Sequence, residues 1–328
     1  MGQLGVAIVG CGLIGRKRTQ ALGNARLLAC VDVNAERAQA LASLFPGTTA
    51  AADWRSILRR DDIHIVIVST TNNSLAEITE QAVRSGKHVL VEKPAGRNAH
   101  ELEPTLTACK ESKSLVRVGF NHRYHPAMQK VRELLTAGAI GDLMFVRGRY
   151  GHGGRPGYDK EWRANPDLSG GGELIDQGVH LIDLSRWILG DFARVRGIAK
   201  TFYWDMVVDD NAFALLETAD GKVAFLHCSC TEWKNLFSLE IYGRTGKLHI
   251  EGLGGSYGTE RLSYYKMLPQ MGPPETTIWE YPMGDSSWNL EFAEFLDDIR
   301  LNRTPSSNLD DAYAALRVVE QIYLESVR

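Results

Sequence analysis

At 328 residues the chain is too long for one small core and comfortable for two domains. Its formal net charge of -3, with acids and bases mixed along the chain, offers no basic field for nucleic acid or an anionic membrane. Hydrophobic content of 44% and charged content of 23% are those of an ordinary globular protein. The opening residues lack the pattern of a secretory signal, and no apolar run approaches the ~20 residues of a spanning helix. Cysteines 11, 30, 109, 228 and 230 form an odd, scattered set that fits reduced thiols. Cys228 and Cys230 would share a strand face with His227 pointing the other way, so no metal is expected. The expectation is a cytoplasmic protein.

Taken in chain order, the first 120 residues alternate apolar runs with amphipathic stretches, as βαβ units do. Strands are predicted at Gly5–Val9, Leu27–Val33, Ile63–Ser69, His88–Val91 and Leu115–Gly119, with helices near 14–22, 35–45, 74–86 and 99–112. The strands are nearly continuous in Val, Ile and Leu, the pattern of parallel strands covered on both faces. Asn34 is placed to cap the second helix. After Phe120 the character changes. Pro126 to Ala137 reads as a helix stopped by Gly138. Strand-like stretches follow near 142–150, 194–203, 211–218, 222–231, 237–243 and 246–251, separated by short turns that favour antiparallel pairing. A helix at about 172–189 interrupts them, and helices near 288–302 and 309–327 finish the chain. The segment 252–287 is the least regular. The fold class is α/β followed by α+β: a Rossmann-type doubly wound sheet in 1–120, then 121–328 with an open, mainly antiparallel sheet flanked by helices.

Gly10-Cys11-Gly12-Leu13-Ile14-Gly15 directly follows the first strand and opens a helix. Gly10 permits the tight turn, Gly12 lets a pyrophosphate reach the backbone, and Gly15 lets helix and strand pack closely. Backbone N–H groups at the helix start, from Leu13 and Ile14 onward, suit phosphates. Asp32, seventeen residues after Gly15, can accept from both adenine-ribose hydroxyls and would repel a 2′-phosphate, which favours NAD over NADP. Further along, Glu92-Lys93-Pro94 sets an acid and an amine at the carboxyl end of a strand, where open α/β sheets bind ligands.

Here the sequence resembles the Gfo/Idh/MocA oxidoreductases. The resemblance rests on Gly10–Gly15, on Gly86-Lys87-His88-Val89 running into Glu92-Lys93-Pro94, and on Gly119-Phe120-Asn121-His122-Arg123-Tyr124-His125-Pro126. It continues through Trp162-Arg163 and the run from Gly170 to His180. It implies an N-terminal dinucleotide domain, a C-terminal domain whose open sheet makes homodimer or homotetramer contacts, and catalytic positions at Lys93, Asp176 and His180. The chemistry agrees, because alcohol oxidation needs a base for the hydroxyl proton and histidine suits neutral pH. Asp176 and His180 are four apart and would share a helix face. The assignment is His180 as base, Lys93 as polarising donor and Asp176 as positioning group, with the Lys93 and His180 roles open to exchange. Thr70, Asn72, Glu92 and Lys93 join the glycine loop as cofactor residues. Thr71, Leu75 and Arg18 depart from residues frequent in the family, which weakens the transfer of local cofactor contacts.

Between Tyr150 and Leu168 an irregular stretch carries His152, Arg155, Tyr158, Trp162 and Arg163. Aromatic faces and donors suit a polyhydroxylated ring. Arg123, Tyr158, Trp162 and Arg163 are the candidate substrate residues. Arg123 and Arg163 could bind an anionic group or form structural bridges. Asp183 and Arg186, three apart, read as a surface pair. Three functions compete: a dehydrogenase of sugar or cyclitol hydroxyls, an NAD-dependent glycoside hydrolase, and a non-catalytic dinucleotide sensor. The acid–base residues favour the first.

Overall fold

In the computed structural model, which describes residues 3–326, the branched apolar runs of the first third pair into a parallel sheet. Its strands are β1 (Gly5–Val9), β2 (Arg26–Val31), β3 (Thr49–Ala51), β4 (Ile65–Val68), β5 (His88–Glu92) and β6 (Val116–Gly119), in the order β3-β2-β1-β4-β5-β6. β4 is buried at every position, as a strand covered on both faces must be. The helices are α1 (Leu13–Gln20), α2 (Ala35–Ala42), a short α3 (Arg55–Leu58), α4 (Asn72–Arg84) and α5 (Glu103–Lys110). Asn34 caps α2 by accepting the Arg37 N–H at 3.1 Å. Val9 is in register with Val31 and Val68, and Val68 with Val91. Gly10, Asp32, Ser69 and Glu92 therefore emerge at the same end of the sheet, where the strand order reverses between β1 and β4.

This first unit does not end at Phe120. Contacts group Trp288–Tyr313 with it, which corrects the expectation that 121–328 forms one unit. The physical reason is burial. Phe292 and Phe295, on the helix α9 (Ser287–Leu301), sit in one apolar cluster with Val6, Ile8, Ile65 and Leu90. Arg117 on β6 also pairs with Asp298, and Val118 N–H donates to the Ser307 carbonyl at 2.8 Å.

The second unit comprises Asn121–Ser287 and the residues from Ala314 onward. It begins with α6 (Pro126–Thr136), followed by β7 (Leu143–Gly151), a short α7 (Pro166–Ser169) and α8 (Val179–Leu189). Then come β8 (Phe192–Lys200), β9 (Asn211–Thr218), β10 (Val223–Ser229), β11 (Leu236–Gly243), β12 (Gly246–Glu251), β13 (Glu260–Lys266) and β14 (Glu275–Tyr281). The last helix is α10 (Leu309–Ser326); position 327, expected in it, lies outside the described residues. The sheet order is β14-β13-β12-β11-β7-β10-β9-β8, antiparallel except for the β7–β10 pair. β13 and β14 lie inside the segment that the sequence left irregular. The central strands alternate, so Val146, Gly148 and Tyr150 face inward with Leu226, Leu239 and Ile241. Leu181 of α8 packs on that side, against which a Cβ at Gly148 would press at 3.1 Å. The opposite face is open, exposing Phe145, Ile198, Phe213, Leu215 and Phe225.

Candidate functional site

The glycine loop is built as its spacing implies. Gly10 has a left-handed φ of +96°, and a Cβ there would stand 2.4 Å from the Ser69 carbonyl oxygen. A Cβ on Gly15 would meet the Gly10 carbonyl oxygen at 2.0 Å, so helix and strand approach closely because both positions are bare. Gly12 is different: a Cβ there would meet nothing within 4 Å, so its space is open. The first bond of α1 runs from Arg16 N–H to the Gly12 carbonyl at 3.0 Å. The N–H groups of Leu13, Ile14 and Gly15 therefore stand ahead of the helical ladder, where an anion can be received.

Asp32 follows β2 at the same end of the sheet. Its carboxylate accepts the N–H groups of Cys11 and Asn34, both at 2.8 Å, so the acid is held beside the loop. Ser69 Oγ donates to the Gly10 carbonyl at 2.8 Å, and Thr70 Oγ1 accepts from Ser74 Oγ at 2.8 Å. Asn72 is buried at the start of α4. An open backbone cradle with a fixed carboxylate at the next strand end fits a dinucleotide pyrophosphate and its adenine ribose. Lys93 leaves β5 through a cis bond to Pro94, and the Glu92 carbonyl accepts the Ala95 N–H at 2.9 Å.

Arg18 is a finding the sequence did not supply. It is 1% exposed, and its guanidinium reaches Glu92 Oε1 at 2.6 Å and Glu291 Oε2 at 2.5 Å while lying 4.4 Å over the Trp288 ring. Glu92, expected among the cofactor residues, thus has its charge compensated within its own unit. Burial pushes the Glu291 carboxyl upward, against the pull of Arg18 and Arg117. The signal was faint: an arginine at a position where the family often has histidine.

In the second unit, Gly170 to Gly172 lead into a π-wound turn, Leu174–Gly178, which continues into α8. The regular α-helical face expected for Asp176 and His180 is therefore interrupted between them. Such single π turns occur frequently at functional sites. Gly178 allows the close approach, since a Cβ there would lie 2.7 Å from Cys228 Sγ. The start of the turn is pinned by Asp209, unnoticed in the sequence. Its carboxylate accepts the N–H groups of Gly172 at 2.9 Å and Leu174 at 2.8 Å, and the Tyr323 hydroxyl at 2.8 Å. Burial raises the Asp209 pKa despite those donors.

Asp176 accepts from Arg163 Nε at 2.8 Å, and Arg163 lies 4.6 Å over the Trp162 ring. The substrate-candidate stretch is thereby tied to Asp176. Tyr158 is buried and donates to Glu173 Oε2 at 3.4 Å. His152 lies 3.7 Å from the same carboxylate, and burial lowers its pKa. His180 is 4% exposed and stacks on His122, ring centroids 3.7 Å apart and planes 20° apart.

Arg123 takes the structural alternative. It is buried and donates to Asp183 through Nε at 2.8 Å and Nη2 at 2.5 Å. Asp183 is likewise buried, which corrects its reading as a surface partner of Arg186; Arg186 pairs with Asp191 at 2.6 Å instead. The five cysteines are all free thiols, and among the described residues no group of three or more His, Cys, Asp or Glu is arranged to hold a metal. No helix among them is long and apolar enough to cross a membrane.

Comparison with known proteins bears on both units. Residues 4–120 match the oxidoreductase family NAD-binding Rossmann fold (GFO_IDH_MocA), and residues 128–249 match the GFO/IDH/MocA C-terminal domain. A levoglucosan dehydrogenase of Pseudarthrobacter phenanthrenivorans is 27% identical over 76% of this chain and 73% of its own. An inositol 2-dehydrogenase of Gluconacetobacter diazotrophicus is 30% identical over 66% of this chain and 65% of its own. The fold is that of a solved levoglucosan dehydrogenase in complex with NADH and levoglucosan, with TM-score 0.90, 24% identity, and coverage of 99% of this chain and 98% of that one.

Proposed function

We propose an NAD-dependent dehydrogenase that acts on a hydroxyl of a sugar or cyclitol, on the premise that this chain belongs to the GFO/IDH/MocA family of oxidoreductases. The observation that carries the proposal is a buried histidine, His180, on the same helical segment as an acid, Asp176, that is tied to a loop of aromatic and donor side chains. Relatives named for levoglucosan and inositol support a polyhydroxylated ring as substrate.

When bound, NAD supplies the acceptor for the hydride that leaves the carbinol carbon. The chain's own residues do the rest. Gly12 and the N–H groups that open α1 receive the pyrophosphate, and Asp32 receives the ribose hydroxyls. His180 is the base for the hydroxyl proton, Lys93 the polarising donor, and Asp176 orients the substrate or His180. Trp162 and Arg163 supply a ring face and a donor at the substrate rim, with Arg163 also holding Asp176. Tyr158, buried behind them in the same stretch of sequence, donates to Glu173. The free thiols suit a reducing cytoplasm. The apolar side chains on the open sheet face suit a homodimer or homotetramer.

A screen of sugars, uronates, cyclitols and sugar phosphates with NAD+ or NADP+, followed by NADH absorbance, tests the reading. Saturable NADH formation with one group and NAD+ is expected. Release of an aglycone from a glycoside without NADH would establish the hydrolase instead, and NAD binding without any turnover the sensor. Asp32→Ala is expected to weaken NAD binding by about tenfold or more, the scale of hydrogen bonds to a charged group, and to relax discrimination against NADP. Unaltered titrations with both cofactors would place Asp32 away from the ribose.

A further inference from the structure

His122 lies in the segment Asn121–Tyr124, before α6, and has no role in the chemistry above. Yet its ring covers one face of His180 at 3.7 Å, both residues are more than nine-tenths buried, and the planes are nearly parallel. Two desolvated imidazoles this close cannot both be cationic without strong like-charge repulsion.

The tautomer of His122 is set from behind by a directional chain. Asn121 Nδ2 donates to Ser287 Oγ at 2.8 Å, and Ser287 Oγ donates to Asp285 Oδ1 at 2.6 Å. That polarity leaves Asn121 Oδ1 as the acceptor for His122 Nδ1, 3.2 Å away, so Nδ1 carries the hydrogen. The other neighbours are also defined. His125 stands edge-on to His122 at 5.6 Å, with Glu260 of β13 at 3.0 Å from its Nδ1 and Asp285 at 3.9 Å from its Nε2. Tyr150 of β7 is 5.1 Å from His122 and 6.3 Å from His180, and Phe237 of β11 is 6.0 Å from His122. Tyr257 lies against Tyr150 at 5.2 Å. Burial holds both phenols neutral. On the helix itself, Asp176 is paired with Arg163 and Asp183 with Arg123.

We propose that His122 is a positioning residue that tunes His180: the stacked pair holds at most one positive charge, and His180 is thereby kept neutral and oriented as a base. The inference rests on the reading of His180 as the base of the dehydrogenase. Its consequence is a signed prediction for two substitutions. His122→Phe keeps a flat ring on His180 but removes the competing charge and offers a π face to the cation. Asn121→Asp sets a carboxylate against His122 Nδ1 and stabilises the cation on His122.

The test is the protonation of His180, read directly by NMR titration of histidine-labelled full-length protein, with the resonance assigned through His180→Gln. The midpoint for His180 is expected to rise by about one pH unit in His122→Phe and to fall in Asn121→Asp, because like charge is removed in one and strengthened in the other. Unmoved midpoints in both folded variants overturn the proposal. Should His122→Phe fail to fold, the Asn121→Asp shift decides alone, and a rise in its place overturns the idea. The acid limb of the kcat/KM profile should move with the resonance. If the resonance moves and the limb stays, the pairing stands and the assignment of His180 as base falls.

Discussion

The two sheets of this protein solve the same burial problem in opposite ways. The parallel sheet is covered on both faces at its centre, so β4 is apolar at every position and the candidate site residues gather at the carboxyl ends of the strands. There the site is made mostly of backbone: bare glycines, N–H groups and a single fixed carboxylate. The second sheet is covered on one face only, and its site is made of side chains carried by a helix on the covered side. The buried charges differ in the same sense. Arg18, Glu92 and Glu291 are sealed inside the first unit, whereas Glu240 meets Arg147, Lys247 and Tyr242 on the open face. A backbone site tolerates change wherever space is open, and a side-chain site depends on particular groups.

Five substitutions would break or sharpen that contrast. The largest effect is expected from His180→Ala, with turnover reduced by ~10²–10⁴, the range for loss of a general base, and with NAD affinity retained. Turnover within a few-fold of the parent, measured at saturating substrate, would remove His180 from the chemistry. Arg18→Met comes next. Stranding two buried carboxylates is expected to cost about 3–5 kcal/mol in urea unfolding, and a loss below about 1 kcal/mol would mean the cluster relaxes.

The glycines make a matched pair. Gly15→Ala must displace the Gly10 carbonyl and should cost about 1–3 kcal/mol, as overpacking does. Gly12→Ala has room for its Cβ, so its melting temperature should stay near the parent's while NAD binding weakens. Equal thermal behaviour of the two variants would contradict the geometry.

The smallest effect belongs to Glu240→Gln, about 1 kcal/mol or less at neutral pH. Burial alone would raise the Glu240 pKa, but hydrogen bonds from Arg147, Lys247 and Tyr242 bring it down to about 2 from an ordinary 4.5. Its contribution is therefore present above 4.5 and lost as pH falls towards 2. The parent should lose more stability than Glu240→Gln across that window. Parallel acid titrations of the two would show that the cluster contributes nothing.

Much of this was legible because local pattern and burial agree. β1, β9 and β12 lie where the apolar alternation or runs put them, and Asn34 caps as its side chain predicts. β14 was not legible for a physical reason: it is an edge strand on an open sheet, largely exposed along its length, and shows no apolar row. β3 is three residues long and equally exposed. Contacts distant in sequence were invisible as well. Asp183 and Arg186 have surface-pair spacing, yet Asp183 is claimed by an arginine sixty positions earlier. The glycine loop could be read residue by residue because backbone geometry imposes its own residue types. The stacking of His122 on His180 could not, since no spacing rule joins a loop residue to a helix residue 58 positions later.

The late return of Phe292 and Phe295 also matters while the protein is being made. The last strand of the first sheet leaves the ribosome about 170 residues before those rings do. At roughly 5–20 residues per second, the nascent sheet waits on the order of ten seconds or more with part of its apolar cluster uncovered. The amino-terminal unit is thus first to be synthesised and cannot be first to finish. A chain arrested before residue 292 should accordingly recruit chaperones and resist folding, even though every strand of its parallel sheet is already present.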